Sequence, residues 1–195
     1  MDQARRDPPD GDLARRVQNG DRDAFEILAR RYLRPIHAVA ASFLRERADV
    51  EDAAQETFLK ALRAIGSFDP NRPFAPWLYQ IARNVARNRL AERKRHATEP
   101  VTDLARSLPD SAASPEVGVE GTELGHRIAE AIEALPEQRR TAFRLAEVEG
   151  YAAVEVARLM GLSPGAVRAH IHHARKDLRA RLAHLVEDEN EHADG

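Results

Sequence analysis

A chain of 195 residues with 43% hydrophobic residues and a net charge of −2 can bury one medium core or two small ones. The absence of cysteine excludes a disulfide framework, a thiol redox motif and a cysteine-ligated zinc. The opening residues MDQARRDPPDGDL contain no apolar h-region, and no run approaches the ~18 apolar residues of a membrane span. A soluble cytoplasmic protein with no membrane insertion is expected.

Ala, Leu, Arg and Glu dominate, which favours helix throughout. Residues 1–11, with two prolines and mixed charges, are expected to be disordered. A short helix from Asp12 to Gln18 stops at Asn19-Gly20. Asp21 caps a helix running to about Leu33, with Phe25, Leu28, Ala29 and Tyr32 on its inner face. Pro35 marks a break or a new first turn, and a further helix carries Ile36, Val39, Ala40 and Phe43. Asp49 opens the next helix, which stops at Gly66 and has the core stripe Ala54, Phe58, Ala61, Leu62 and Ile65. A second face of that helix collects Asp52, Gln55, Glu56 and Leu59 at i, i+3, i+4, i+7. An apolar centre with a polar rim suits a protein interface; the alternative is a lone surface leucine.

The segment SFDPNRPFAP (67–76) contains three prolines and reads as a turn-rich loop. Phe68 and Phe74 are placed to plug the core beneath it, leaving its polar side chains able to approach a ligand. The stretch PWLYQIARNVARNRLAERKRH (76–96) follows. Leu78, Ile81, Ala82 and Val85 form one apolar stripe, and Gln80, Arg83, Asn84, Arg87, Asn88, Lys94 and Arg95 lie opposite. From Arg83 to His96 there are six Lys/Arg against one Glu, a polarised surface in a nearly neutral chain. Asn84 and Asn88 are i,i+4 neighbours, each with the donor and acceptor needed to read a base edge, beside arginines able to hold phosphates. A solvated amphipathic helix is the bland alternative.

From 97 to about 124 the chain turns proline-containing and acidic, six Asp/Glu against one Arg between Glu99 and Glu123, and reads as an extended linker. A helix on Ile128, Ala131, Ile132 and Leu135 ends at Pro136. The next, on Ala142, Phe143, Leu145 and Ala146, closes at Gly150. A short helix, AAVEVARLMG (152–161), follows; with Tyr151, Ala152 and Ala153 at its start and no Ser-type cap, its N-terminus should be loose. Gly161-Leu162-Ser163 makes a tight turn into a long helix with Ser163 as N-cap and Pro164 at its first position. Two helices joined by a short Gly-containing turn, the second basic, form a helix-turn-helix signature. Val167, Ile171, Ala174, Leu178 and Leu182 face inward; Arg168, His172, Arg175, Lys176 and Arg179 face outward. His170, His172 and His173 without a carboxylate make a poor metal site, so polar contact to DNA or plain surface placement is favoured. Residues 187–194 hold five acids and read as a disordered tail. No P-loop, GxGxxG, HExxH or serine-nucleophile motif occurs, so neither an enzyme nor a cofactor or metal is expected.

The runs VEDAAQETFLKALRAIGSFDP, FAPWLYQIARNVARNRL and EALPEQRRTAFRLAEVEGYAAVEVARLMGLSPGAVRAHIHHARKDLRARL together resemble bacterial RNA polymerase sigma factors of the extracytoplasmic-function (ECF) group, within the sigma-70 family. The resemblance implies an all-α protein: a disordered N-terminus (1–11), sigma domain 2 (12–96), an acidic linker (97–124), sigma domain 4 (125–185) and an acidic tail (186–195). It places Asp52, Gln55, Glu56 and Leu59 on the face that binds the β′ clamp helices of core RNA polymerase. It places Phe68, Asp69 and Asn71 on the loop that captures a flipped base of the −10 promoter element, with Arg83, Asn84, Arg87 and Asn88 on the −10 strand. Ser163, Arg168, His170, His172, Arg175 and Lys176 fall on the −35 recognition helix of a domain that also docks on the β flap. The linker would thread the RNA-exit region, and an anti-sigma factor is the implied regulator. Two rivals are a dimeric helix-turn-helix regulator, which leaves the basic helix and the 52–59 face unused, and a protein-only helical adaptor.

Overall fold

The computed structural model describes residues 8–98 and 123–193, with side chains left undescribed at 97, 98, 123 and 184–193. Its helices are α1 (Asp10–Gln18), α2 (Arg22–Ala41), α3 (Arg47–Ala64), α4 (Phe74–Thr98), α5 (Glu123–Glu133), α6 (Glu137–Phe143), α7 (Ala153–Met160) and α8 (Pro164–Ala193), and no strand occurs among the described residues. A 3₁₀ turn (Ile65–Ser67) follows α3, and a π-helical turn (Arg144–Val148) follows α6. Most of the expected linker and residues 1–7 lie outside the described residues.

α1 to α4 form one bundle. Leu13, Leu28, Ile36, Leu78 and Val85 are each almost wholly buried, and each contributes about 1.5–3 kcal/mol by leaving water. The expected break at Pro35 does not occur: α2 runs unbroken from Arg22 to Ala41 with Pro35 inside it. A mid-helix proline costs ~3 kcal/mol; burial of Tyr32, Ile36 and Val39 on both sides of it offsets that cost. Asp21 caps α2, its carboxylate accepting from the Ala24 N–H at 3.1 Å. α1 begins two residues earlier than expected, and Asp10, placed in the disordered N-terminus by the sequence reading, is ion-paired with Arg31 and accepts from the Tyr32 hydroxyl. Burial first, and then that carboxylate, push the Tyr32 hydroxyl far above its ordinary pKa. α3 starts at Arg47, two residues ahead of Asp49. Of its expected core stripe, Leu62 is 43% exposed while Thr57, absent from that stripe, is buried and back-bonded to the Ala53 carbonyl at 2.7 Å.

α5 to α8 form the second bundle. Ala131, Leu135, Ala174 and Leu178 make a small core with Ile132, Phe143 and Leu182 packed on it. The start of α7 is firmer than its alanines suggest, because the Glu155 carboxylate reaches back to accept from the Ala152 N–H at 2.8 Å. Gly161 closes α7 at φ +69°, a left-handed cap that glycine adopts without steric cost. Ser163 Oγ accepts from the Ala166 N–H at 3.1 Å, the expected cap. With no Gly or Pro between Gly165 and Gly195, α8 continues to Ala193, where a disordered tail was expected.

The two bundles share one hydrophobic core. Leu145, Val156, Leu159, Met160 and Val167 join the residues of α1–α4 in a single buried cluster. The Ser42 hydroxyl donates to the Val39 carbonyl at 2.7 Å, so Thr141 Oγ1, 3.0 Å away, donates to Ser42 across the junction. Both side chains are buried.

Candidate nucleic-acid interface

The loop between α3 and α4 is braced from three sides. Beneath it, Phe68 meets Phe74 edge-on at 5.5 Å and Trp77 at 4.8 Å, and Phe74 lies 5.6 Å from Tyr32. Such aromatic pairs each add ~0.5–1.5 kcal/mol beyond burial. Behind it, α1 supplies Gln18, whose Nε2 donates to the Ile65 and Phe68 carbonyls at 2.8 and 2.7 Å. Gly11 lies so close that an added Cβ would stand 2.4 Å from the Pro70 carbonyl oxygen. On the loop itself, Asp69 accepts from the Asn71 N–H at 3.0 Å and from its side-chain amide at 3.1 Å. Asn71 in turn accepts from Arg15 at 2.9 Å. Asp69, Asn71 and Arg72 are exposed.

This corrects one assignment. Phe68 is only 6% exposed, so its ring supports the loop and does not reach a ligand from this position. The missed braces, Gln18, Arg15 and Gly11, sit in a segment whose sequence gave no sign of its long-range partners.

α4 carries the loop's continuation. Leu78, Ala82 and Val85 are buried and Ile81 half-buried, as the stripe requires. Asn84 and Asn88 are exposed, one turn apart, with no side-chain hydrogen bond among the described residues. The arginines around them are engaged. Arg83 is ion-paired with Glu137, and Arg87 Nε lies 3.6 Å from the same carboxylate. Arg89 binds Asp52 at 3.2 Å and Glu56 at 3.0 Å, and Arg93 pairs with Asp49. Much of the local positive excess is thus neutralised by α3 and α6. Tyr79, outside the apolar stripe, is buried at 3% exposure; its desolvation raises the phenol to about 12.

The expected protein-binding face of α3 divides in two. Asp52 and Glu56 turn toward Arg89 of α4, and Glu56 also takes Lys60 at 2.8 Å. Hydrogen bonds from Lys60, then from Arg89, hold the Glu56 carboxyl below its ordinary value against the opposing effect of burial. Gln55 and Leu59 turn the other way, into an open groove of about 500 Å³ shared with Phe25, Leu33, Phe58 and Leu62. Leu33, Leu59 and Leu62 are 50%, 48% and 43% exposed. Leu59 is therefore not a lone surface leucine. Leu33 and Leu62 are the members the sequence reading missed, since each fits a core stripe equally well by spacing.

In the second bundle, α7, the Gly161 turn and α8 form the helix-turn-helix. Arg168, His172, His173 and Lys176 are exposed on α8, and Arg175, also exposed, pairs with Glu147 at 2.7 Å. The rings of His172 and His173 meet edge-on at 5.7 Å. His170 is half-buried; desolvation, and then Arg139 and His173, lower its pKa below the ordinary imidazole value. Its position is less open than those of its neighbours. No group of three metal-capable side chains is found among the described residues, and no helix there is long and apolar enough to cross a membrane.

Comparison with known sequences places these two sites in one class of protein. Residues 28–96 match Sigma-70 region 2 and residues 125–178 match Sigma-70, region 4, the two promoter-recognising parts of a sigma-type transcription-initiation factor. The chain is 34% identical to the RNA polymerase sigma-H factor of Pseudomonas aeruginosa over 92% of this chain and 96% of that one. It is also 34% identical to the ECF RNA polymerase sigma-E factor of Haemophilus influenzae, covering 89% and 95%. The fold is similar to that of CnrH in its complex with the cytosolic domain of CnrY (TM-score 0.58, 29% identity, 89% of this chain and 97% of that one). It is likewise similar to the sigma factor RpoE bound to the anti-sigma factor NepR from Bartonella quintana (TM-score 0.52, 22% identity, 82% and 96%), a likeness of fold alone. The chain belongs to the ECF group of RNA polymerase sigma factors.

Proposed function

We propose that the chain binds core RNA polymerase in the cytoplasm and directs promoter-specific initiation, doing no covalent chemistry of its own. Residues 12–96 act as sigma domain 2 and residues 125–185 as sigma domain 4, joined by the acidic linker. The observation that carries this reading is the pairing of Asn84 and Asn88, exposed side by side next to a loop braced by Gln18, Arg15 and the Phe68–Phe74–Trp77 cluster. A rigid polar rim beside two amides is suited to hold an extruded base by its edge while the neighbouring strand runs over arginines. Asp69 and Asn71 form the rim; Phe68 keeps it in place.

Domain 4 reads the −35 element with Arg168, His172, Arg175 and Lys176 on the exposed side of α8, His170 lying at the margin. Ser163 contributes as the cap that fixes the start of that helix. Core binding is assigned to the groove walled by Leu33, Leu59 and Leu62, with Gln55 at its edge, and to the acidic side at Asp52 and Glu56. The β′ clamp helices and the β flap are the expected docking points. An anti-sigma factor is the expected regulator, supported by the complexes in which CnrH is found with CnrY and RpoE with NepR. Run-off transcription by core polymerase with and without the purified chain, over a promoter library, tests the reading. Specific transcripts dependent on the chain are expected; their absence, with the chain folded and core polymerase active on another sigma factor, would overturn it.

A further inference from the structure

α1 meets the loop between α3 and α4 with one face. Gly11, Arg15 and Gln18 recur on it at i, i+4, i+7, a helical repeat that stacks them on one side. Leu13, Ala14 and Val17 are buried on a different side and hold α1 in the bundle. Gln18 donates to the Ile65 and Phe68 carbonyls, which bracket the 3₁₀ turn at the start of the loop. Gly11 packs on the Pro70 carbonyl further along it. With the backbone held at both points, the side chain left to be oriented is that of Asn71.

The chemistry of its neighbours orients it. An arginine only donates and a carboxylate only accepts. Arg15 Nη2, at 2.9 Å, therefore meets the amide oxygen, and Asp69 Oδ1, at 3.1 Å, meets the amide nitrogen. Asp12 steadies the guanidinium from the other side at 2.8 Å. The amide is left with one N–H on its Asp69 side and one lone pair on its Arg15 side, neither with a partner among the described residues. Turning the amide by 180° would exchange the two. A base edge is likewise an ordered set of donors and acceptors, so that order decides which edge fits.

We propose that Arg15 is a positioning residue for base specificity: it sets the polarity of the Asn71 amide, and through it the base that the loop accepts. The inference rests on the proposed base-capturing role of Asp69 and Asn71. Arg15 acts from outside residues 28–96, the part that matches Sigma-70 region 2, and needs no contact with the base itself.

The test uses holoenzyme assembled from core polymerase and the full chain as wild type, Arg15→Met, Arg15→Lys and Asn71→Ala. Open-complex formation is measured on a promoter from the run-off library with its −10 region mismatched open, each of the four bases being placed in turn at each position. Arg15→Met removes the donor and keeps the length, and melting curves check that the bundle stays folded. Base preference at one position should fall at least roughly 5-fold, the lower bound for a single base contact. Arg15→Lys, which still donates, should keep most of that preference. In the free chain, the Asn71 side-chain amide signals in a nitrogen–proton NMR spectrum should move further in Arg15→Met than in Arg15→Lys. Equal weakening of all four bases in Arg15→Met would mean that Arg15 supplies only charge to the phosphates and overturns the proposal. Unchanged preference, or unmoved Asn71 signals, in the folded variant does the same. Asn71→Ala separates the two failures. Preference lost in Asn71→Ala but intact in Arg15→Met sinks the positioning role alone, whereas preference intact in Asn71→Ala sinks the loop reading beneath it.

Discussion

Asn84→Ala isolates base reading from structural roles, because the side chain is exposed and makes no side-chain hydrogen bond among the described residues. Removing it breaks no side-chain hydrogen bond among the described residues. Alanine is the better helix former by about 0.5 kcal/mol, so α4, anchored by Leu78, Ala82 and Val85, should be as stable as before or slightly more so. The cost therefore falls on the nucleic acid alone. A bidentate amide-to-base contact is worth ~1–3 kcal/mol of discrimination, which corresponds to roughly 5- to 150-fold in open-complex formation. The assay compares the variant holoenzyme on an intact promoter and on one with the −10 region mismatched open, scanning each base of the element. Discrimination should vanish at one or two positions while affinity for core polymerase stays the same. Equal weakening on every template would show that the asparagines only position the strand backbone. No change on any template would show that the polar face of α4 is solvent-facing and nothing more.

Leu59→Arg, at 48% exposure in the groove with Leu33 and Leu62, should weaken capture of core polymerase in a pull-down at least several-fold, with unchanged helicity. A loss of helicity would instead make it a packing residue. Ser163→Ala removes the hydroxyl that accepts from the Ala166 N–H and should cost the second bundle ~0.5–2 kcal/mol, read as a lower melting temperature and weaker −35 duplex binding. Glu155→Ala, which strips the acceptor from the Ala152 N–H, should lower the melting temperature in the same way by loosening the start of α7. His170, whose pKa is lowered by burial and then by Arg139 and His173, favours the folded state fully above the ordinary imidazole value of ~6.5. That contribution is lost as pH falls through the depressed value in the folded chain, so thermal stability should drop on acidification. His170→Gln should flatten that part of the profile; an unchanged profile would remove His170 from the account.

By itself the sequence determined the class of fold, the helix order and most of the faces. The reason is local. Caps such as Asp21 and Ser163, the stripe Leu78–Ala82–Val85 and the Gly161 turn each act within a few residues, where propensity and period settle the outcome. Asn84, Asn88, Arg168 and Lys176 were legible for the same reason: an exposed helix face follows from the buried one opposite it. What the tertiary structure alone decided involves partners far apart in the chain. Pro35 stays helical because tertiary burial outweighs a local penalty. Leu62 and Leu33 fit an inner stripe by spacing, and only the packing angle of α2 on α3 leaves them in an open groove. Asp52 and Gln55 share a face by periodicity, yet Arg89, 37 residues away from Asp52, pulls the acids to one side of it. The engagement of Arg83 and Arg87 by Glu137, 54 residues beyond Arg83, has no signature in any window of sequence. A charged pair across that separation is set by how two bundles dock, and docking depends on the summed shape of both surfaces, which no local pattern encodes.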